Sequence, residues 1–431
     1  MKWIIVLCIA LVFTVFLAHA AYADELSDMK EEIKAMRKVL EAQTKQIEAM
    51  QKKIEALESE STSTIEAATR AEGKITTLQD KIREPHRGGL LSRKGAKFEI
   101  GGELEIEFVD TQRDVETDEP KPHFQIDRLK LSPKVKFSEQ NVSLKADIDI
   151  DTDGAELDEV YIKFSKLPLK SSLKIGLEDM FLKPDIKTER YPLAATAFWR
   201  QEETGIFLKS RFYSPFYLNL SYCNGLELDD KKTGEDNSYK IIGVDKRNKD
   251  FSDQMELGLG LGADLYSGKF GMLDVLGFYF SGDLSDADIA FLNKKVSGYN
   301  STESALYRYG INLDYSIEEF NLFLQFIRAE DGALNRYAWY IQPSYKFNLP
   351  WDWRYFNSHT LLVRYGRLHL MDIDEVFGDP LTWDRDELTL AFIPEIYKNI
   401  KLKAEYTINT EETGNGKIDN NEFLIQLELG F

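Results

Sequence analysis

The charged residues of this 431-residue chain recur at a spacing that bears on chemistry. Arg128 and Lys130 stand two apart, as do Lys134 and Lys136, and Lys401 and Lys403. Lys145, Lys163, Lys174 and Arg364 sit in stretches where apolar and polar residues alternate. On an extended chain, residues two apart project from one face. If Leu129, Leu131, Val135 and Phe137 face outwards, these ten cations face an enclosed space. Rows of Lys and Arg there would replace an anion's lost hydration and raise its local concentration. Glu99, Glu103, Glu105, Glu107, Asp147 and Asp149 point the same way, so an anion pathway and a merely polar inner wall both remain open.

Other chemistries find little support. The five histidines are His19, His86, His123, His359 and His369, and none stands in a Ser/His setting that would activate a nucleophile. No Cys/His spacing fits a metal site, and no glycine-rich phosphate loop precedes a helix. Cys8 lies in the leader and Cys223 stands alone, which leaves no intrachain disulfide after processing. No catalytic residue, metal or cofactor is expected. Formal charge is −19 overall, with +1 in residues 1–95 and −20 in residues 96–431. So acidic a chain repels phosphate backbones, which argues against nucleic acid as a partner.

The elements that must position these charges are legible in three segments. Met1-Lys2, the apolar run Trp3–Ala18 and Ala21-Tyr22-Ala23 read as a signal peptide over 1–23, which directs the chain to the periplasm. From Leu26 to Ile82 apolar residues repeat every seven: Leu26, Ile33, Leu40, Ile47 and Ile54 at one seam position, Met29, Met36, Met50 and Leu57 at the other. That period specifies a left-handed coiled coil over 24–84. Gln43 and the Ser61, Thr64, Ala68 and Ala71 layers leave its strand number open. At ~1.5 Å per residue it reaches roughly 85 Å. Pro85 and Gly88-Gly89 end it in a basic linker, 85–95.

From Ala96 the period becomes two. Phe98, Ile100, Leu104, Ile106 and Phe108 alternate with lysine and glutamates, and similar runs recur to the C-terminus. They predict sixteen strands of about the ~9–11 residues that a tilted membrane strand needs. Short turns near 138–141, 166–171, 211–215, 266–272, 316–319, 348–357 and 394–399 alternate with longer or acidic loops. Those loops fall near 109–123, 151–155, 178–203, 224–254, 282–306, 329–336, 369–385 and 409–421. Outer-membrane barrels have this order, with short periplasmic turns and long external loops. No later apolar run approaches the ~20 residues of a membrane helix. Phe423, Ile425, Leu427, Leu429 and Phe431 alternate up to a terminal Phe and resemble the strand read by the outer-membrane insertion machinery. The acidic loops read as solvated and mutually repelling, with divalent-cation binding at the lipopolysaccharide surface as the alternative.

Phe124-Gln-Ile-Asp-Arg128, Leu144-Lys-Ala-Asp147, Lys174-Ile-Gly176, Tyr222-Cys-Asn-Gly225, Trp339-Tyr-Ile-Gln-Pro-Ser-Tyr345 and Arg364-Tyr-Gly366 together resemble the phosphate-selective porin O/P family. The resemblance is diffuse and covers most of 97–431. It implies a trimeric sixteen-stranded barrel whose third external loop, here Glu178–Glu203, folds inward and narrows the pore. Lys183, Lys187, Arg190 and Arg200 would then sit on the constriction.

The expectation is an all-β fold: a 16-stranded antiparallel transmembrane β-barrel over 96–431 with an N-terminal periplasmic α-helical coiled coil. It would sit in the outer membrane of a Gram-negative bacterium, against lipid and lipopolysaccharide. Small solutes, anions and among them phosphate, would diffuse through it passively. The rival reading is a structural tether, with the coiled coil reaching peptidoglycan or a periplasmic protein.

Overall fold

The computed structural model describes residues 96–431 except 113–121, 138, 152–153, 183, 200–201, 235–238, 246–253, 267, 349–355, 398 and 415. The leader, coiled coil and linker at 1–95 lie outside the described residues, as do Lys183 and Arg200.

Strands form wherever the period-two alternation runs. They are β1 (Ala96–Thr111), β2 (His123–Phe137), β3 (Val142–Ile150), β4 (Ala155–Leu167), β5 (Ser171–Asp179), β6 (Glu202–Tyr213) and β7 (Phe216–Asn224). A small hairpin follows, β8 (Glu227–Lys232) and β9 (Lys240–Asp245), outside the main sheet. The wall resumes with β10 (Met255–Tyr266), β11 (Met272–Asp283), β12 (Ala305–Ile317), β13 (Phe320–Asp331) and β14 (Leu334–Phe347). It ends with β15 (Phe356–Leu370), β16 (Asp384–Ile396), β17 (Ile400–Glu412) and β18 (Glu422–Gly430). All but the hairpin join in one closed antiparallel barrel, the sixteen strands expected. β18 pairs with β1 from Glu103↔Gly430 to Thr111↔Glu422, and Phe431 exchanges backbone hydrogen bonds of 2.9 and 3.0 Å with Gly102. Closure leaves the barrel wall without an unpaired edge among the described residues.

The two faces of the wall differ as the alternation requires. Phe98, Ile100, Leu144, Ile175, Leu261 and Leu427 stand exposed on the outside. Glu105, Glu107, Asn219, Gln325, Thr389 and Gln426 are buried within. Apolar exposure on this scale would cost water ~25 cal/mol per Å², so the outer face fits an apolar surround.

Short turns close one end of the barrel, such as 138–141, 214–215 and 318–319, and longer connections crowd the other. We call these the turn end and the loop end. One expected loop is absent: β13 and β14 run through 329–336 and are joined by Gly332-Ala333 alone. Gly332 takes φ +61°, a conformation cheap for glycine, and so reverses the chain in two residues.

Two bulges sharpen the inner face. Glu105 pairs with Arg128 and Ile106 with Ile126, which leaves Asp127 extra on β2. Ala146 pairs with Val160 and Ile148 with Leu157, so Asp147 faces both Asp158 and Glu159. An inserted residue resets the alternation. Phe124 and Ile126 thereby face outwards together with Leu129 and Leu131, and the charged residues between them turn inwards.

Candidate functional site

The connection 180–201 does not stay at the loop end but descends into the barrel. Its first residues lie against the wall, where Gln325 donates to the Leu182 carbonyl (3.1 Å) and Gln342 to that of Asp185 (3.0 Å). Lys187 reaches Asn321 and Ser344. At its tip the backbone N–H groups of Glu189 and Arg190 both donate to the Glu405 carboxylate, at 2.7 and 3.1 Å. Arg190 donates through Nε to Glu387 (3.0 Å), and Gln426 donates to the Glu189 carboxylate (2.6 Å). Arg364 completes the attachment. Its guanidinium is buried and donates to Thr188 Oγ1 and the Arg190 carbonyl, both at 2.6 Å. Thr188 Oγ1 itself donates to the Arg190 carbonyl (2.8 Å), and Arg364 ties this closed pair to the wall of β15.

Beyond the tip the loop forms α1 (Leu193–Phe198), and the loop-end mouth fills around it. Leu193, Ala194, Ala197 and Phe198 pack in one apolar cluster with Ile241, Ile242 and Val244 of β9, Leu292 of the helix α2 (Asp286–Lys295), and Ile327, Ala338 and Tyr340 of the wall. Ser285 caps α2, and Asp288 closes that cap while accepting from Leu228 N (2.9 Å), which ties the helix to β8. Burial pushes the Asp230 carboxyl upwards, but the ammonium groups of Lys240 and Lys295 outweigh it and hold it below its ordinary value. Within the wall Asp331 pairs with both Arg308 (2.9 Å) and Arg336 (2.8 Å), all three buried. Arg336 lies 4.8 Å over the Phe198 ring and donates to the Ile242 carbonyl, so this triad fastens α1 and β9 at once.

This plug occupies the side of β11 to β15. Along β1 to β6, beside the inward loop, lies a cavity of about 660 Å³. Seven carboxylates line it (Glu103, Asp127, Asp149, Asp151, Glu156, Asp158 and Glu202) against two cations, Arg128 and Lys130. Tyr191 and Trp199 of the inward loop close its inner side, their rings 5.8 Å apart. Burial holds the Tyr191 hydroxyl above its ordinary pKa, so it stays a neutral donor and acceptor.

Most of the ten wall cations are held by acids. Arg128 meets Glu105 (3.0 Å), Glu103 (3.3 Å) and Asp149 (3.6 Å). Lys130 contacts Asp158 and lies 3.5 Å from Asp147. Lys145 contacts Glu159 and Asp147 (2.8 Å), and Lys136 meets Glu99 at 2.7 Å. Lys174 pairs with Glu178 and Lys401 with Glu428, while Lys403 lies between Glu428 (3.3 Å) and Glu189 (3.4 Å). Arg364 is a fastening inside the plug, not a group open to the bore. Lys134 and Lys163 have no carboxylate partner among the described residues. Of the four expected constriction cations, Lys187 and Arg190 are engaged as above.

Register distributes these charges unevenly along the axis, with the turn-end lysines accompanied by Glu99, Asp274, Asp314, Glu395 and Glu428. Lys134, Lys163, Lys174, Lys209, Lys346, Lys401 and Lys403 lie in the turn-end half of their strands, whereas Glu103, Glu105, Asp127, Asp149, Asp158 and Glu202 lie from mid-barrel towards the loop end. Strand phase alone did not locate Asp127, Asp158, Glu159, Glu189 or the Asp331 triad. The signal for the first three is the slip in phase between Ile126 and Leu129 and between Leu157 and Val160. For the triad it is the run of inner apolar residues in β13 and β14, which announces a cover.

No family model matches the sequence, and no curated protein matches it. Among solved structures the chain is similar to OprB of Pseudomonas putida, with TM-score 0.55 and 9% identity, covering 78% of this chain and 94% of that one. It is similar also to the outer membrane channel DcaP of Acinetobacter baumannii (0.52, 12% identity, 80% and 100% covered). The anion-selective porin from Comamonas acidovorans gives 0.51 at 10% identity, with 78% and 100% covered. At these identities the likeness is one of fold, and that fold is the closed antiparallel β-barrel of outer-membrane porins.

Proposed function

We propose that this chain is an outer-membrane porin, a passive channel for small polar solutes. The observation that carries this reading is a charge-lined cavity beside an inward loop, inside a wall whose outer face is apolar. An apolar belt outside and charged groups within is the arrangement a spanning barrel needs. The insertion role of Phe423, Ile425, Leu427, Leu429 and Phe431 accords with their outward alternation on the closing strand.

The diffuse resemblance to the phosphate-selective porin O/P family, and with it an anion pathway, meets an obstacle in this cavity. The cations that would form a ladder there are neutralised by carboxylates, and the lining is acid-rich. We therefore infer a modest preference for cations. In planar bilayers under a potassium chloride gradient, the reversal potential of the full chain should take the cation-preferring sign. The preference should fade as salt rises from 0.1 to 1 M, because screening shortens from ~10 Å to ~3 Å. An anion-preferring reversal potential would overturn the selectivity, and absence of conductance from a folded barrel would overturn the channel.

Axial sorting has its own signature. An acid-rich mouth in series with a turn-end half of nearly balanced charge accumulates ions under one polarity and depletes them under the other. In symmetric 0.1 M salt the single-channel current should therefore differ between equal positive and negative voltages. A straight current–voltage line at that salt would show that the two charge zones do not act in series.

A further inference from the structure

Below the shoulder of the inward loop, on the turn-end side, the wall of β4 to β7 and β11 to β13 encloses a second cavity of about 580 Å³. Its two sides differ in kind. One is apolar: Met180, Phe181, Phe207, Leu276 and Phe323 line it. Phe181 is stacked at 4.7 Å on Phe280, which fixes that side as a rigid floor. The other side carries Lys163, Lys174 and Lys209 on adjacent strands, with Lys163 opposite Lys174 and Lys209 opposite Ser172.

Four acids line this cavity, Glu178, Asp179, Asp274 and Asp314, and neighbouring side chains donate to Glu178, Asp274 and Asp314. Tyr217 donates to Asp274 (2.7 Å), Asn321 to Asp314 (2.6 Å), and Lys174 pairs with Glu178. Lys163 has no carboxylate partner among the described residues, and Lys209 rests 5.1 Å over the Tyr217 ring. The cavity thus offers two available ammonium groups beside a dry aromatic surface. A ligand that uses both must carry a compact anionic group on an apolar body.

We propose that this cavity binds aromatic monocarboxylates, with the carboxylate between Lys163 and Lys209 and the ring against Phe207 and Phe181. The inference rests on the reading of the barrel as a channel for its biological use, but not for binding itself. Inorganic phosphate would satisfy the lysines and leave the apolar side wet, and an aromatic amide would do the reverse. Either should therefore bind more weakly than the aromatic acid.

Titration calorimetry on the full chain folded in detergent, with benzoate, benzamide and inorganic phosphate as probes, tests this without requiring conductance. Benzoate should bind about tenfold more tightly than either of the others, and K163Q/K209Q should lose roughly tenfold, a loss expected from two charge-assisted hydrogen bonds at a half-exposed site. Both lysines are solvated, so folding should survive their replacement, and unchanged mobility of the unheated barrel on a gel checks this. Phosphate binding as tight as benzoate, or a double variant with unchanged affinity, would overturn the proposal. A barrel that conducts without binding benzoate would overturn it and leave the porin reading standing. One that binds benzoate but carries no current would do the opposite.

Discussion

Replacing Asp331 by asparagine should destabilise the loop-end plug by about 3–5 kcal/mol, the range for stripping one partner from a buried ion pair. The reason lies in the count of charges. Asp331 is the carboxylate set between Arg308 and Arg336, and both guanidinium groups are almost wholly buried. Asparagine keeps the volume and part of the hydrogen bonding but leaves two cations facing each other. Each then lacks a counter-charge at a buried position. Because Arg336 also holds the Ile242 carbonyl and the Phe198 ring, the disturbance should spread to β9 and α1. The ladder hydrogen bonds of the wall do not depend on the triad, so the barrel itself should persist. Limited proteolysis should show new cleavage within 225–254, and thermal unfolding should begin with a separate early step. Wild-type protease resistance in D331N would mean that the triad is not the fastening described.

Arg364→Met should free the tip of the inward loop. Methionine matches the length of the stem but donates nothing, so Thr188 and the Arg190 carbonyl lose the donor seated 2.6 Å away. Charge-assisted hydrogen bonds contribute about 1.5–3 kcal/mol each. Thr188 and the Arg190 carbonyl stay bonded to each other and Arg190 keeps its pair with Glu387, so the loss falls on the tie between the tip and β15. The expected result is higher single-channel conductance with frequent steps between levels, while heat resistance of the barrel stays close to wild type. Unchanged conductance and noise would show that the Glu405 and Glu387 contacts suffice to hold the tip.

Much of this fold is legible in the sequence because its cause is repeated. Each barrel strand announces itself by alternation, and sixteen repetitions leave little freedom in the assignment. What escaped has local causes. The missing loop at 329–336 turned on one glycine, Gly332, whose conformation no periodicity records. The charged cavity turned on two bulges, each a single residue that reverses the face of those beside it. The basic residues were placed on the inner wall by phase, yet phase says nothing of partners. Lys145 and Glu159, or Lys403 and Glu428, meet across strands whose register emerges only when the sheet closes. The hairpin of β8 and β9 lies within a loop expected to be simply acidic, and its Ile241, Ile242 and Val244 were the trace of a packed element there.

β10 carries glycine at 258, 260 and 262, all on its inner side, with Leu257, Leu259 and Leu261 outside. A methyl group at Gly260 would come within 2.9 Å of Phe181, so the bare backbone is the seat on which the inward loop rests. Raising that seat by one carbon would displace the Phe181 ring, and with it the start of the loop, into the lumen. The bore can therefore be reset by a residue that does not itself line the acid-rich cavity. Natural variation could tune how large a molecule passes without altering which charges it meets on the way.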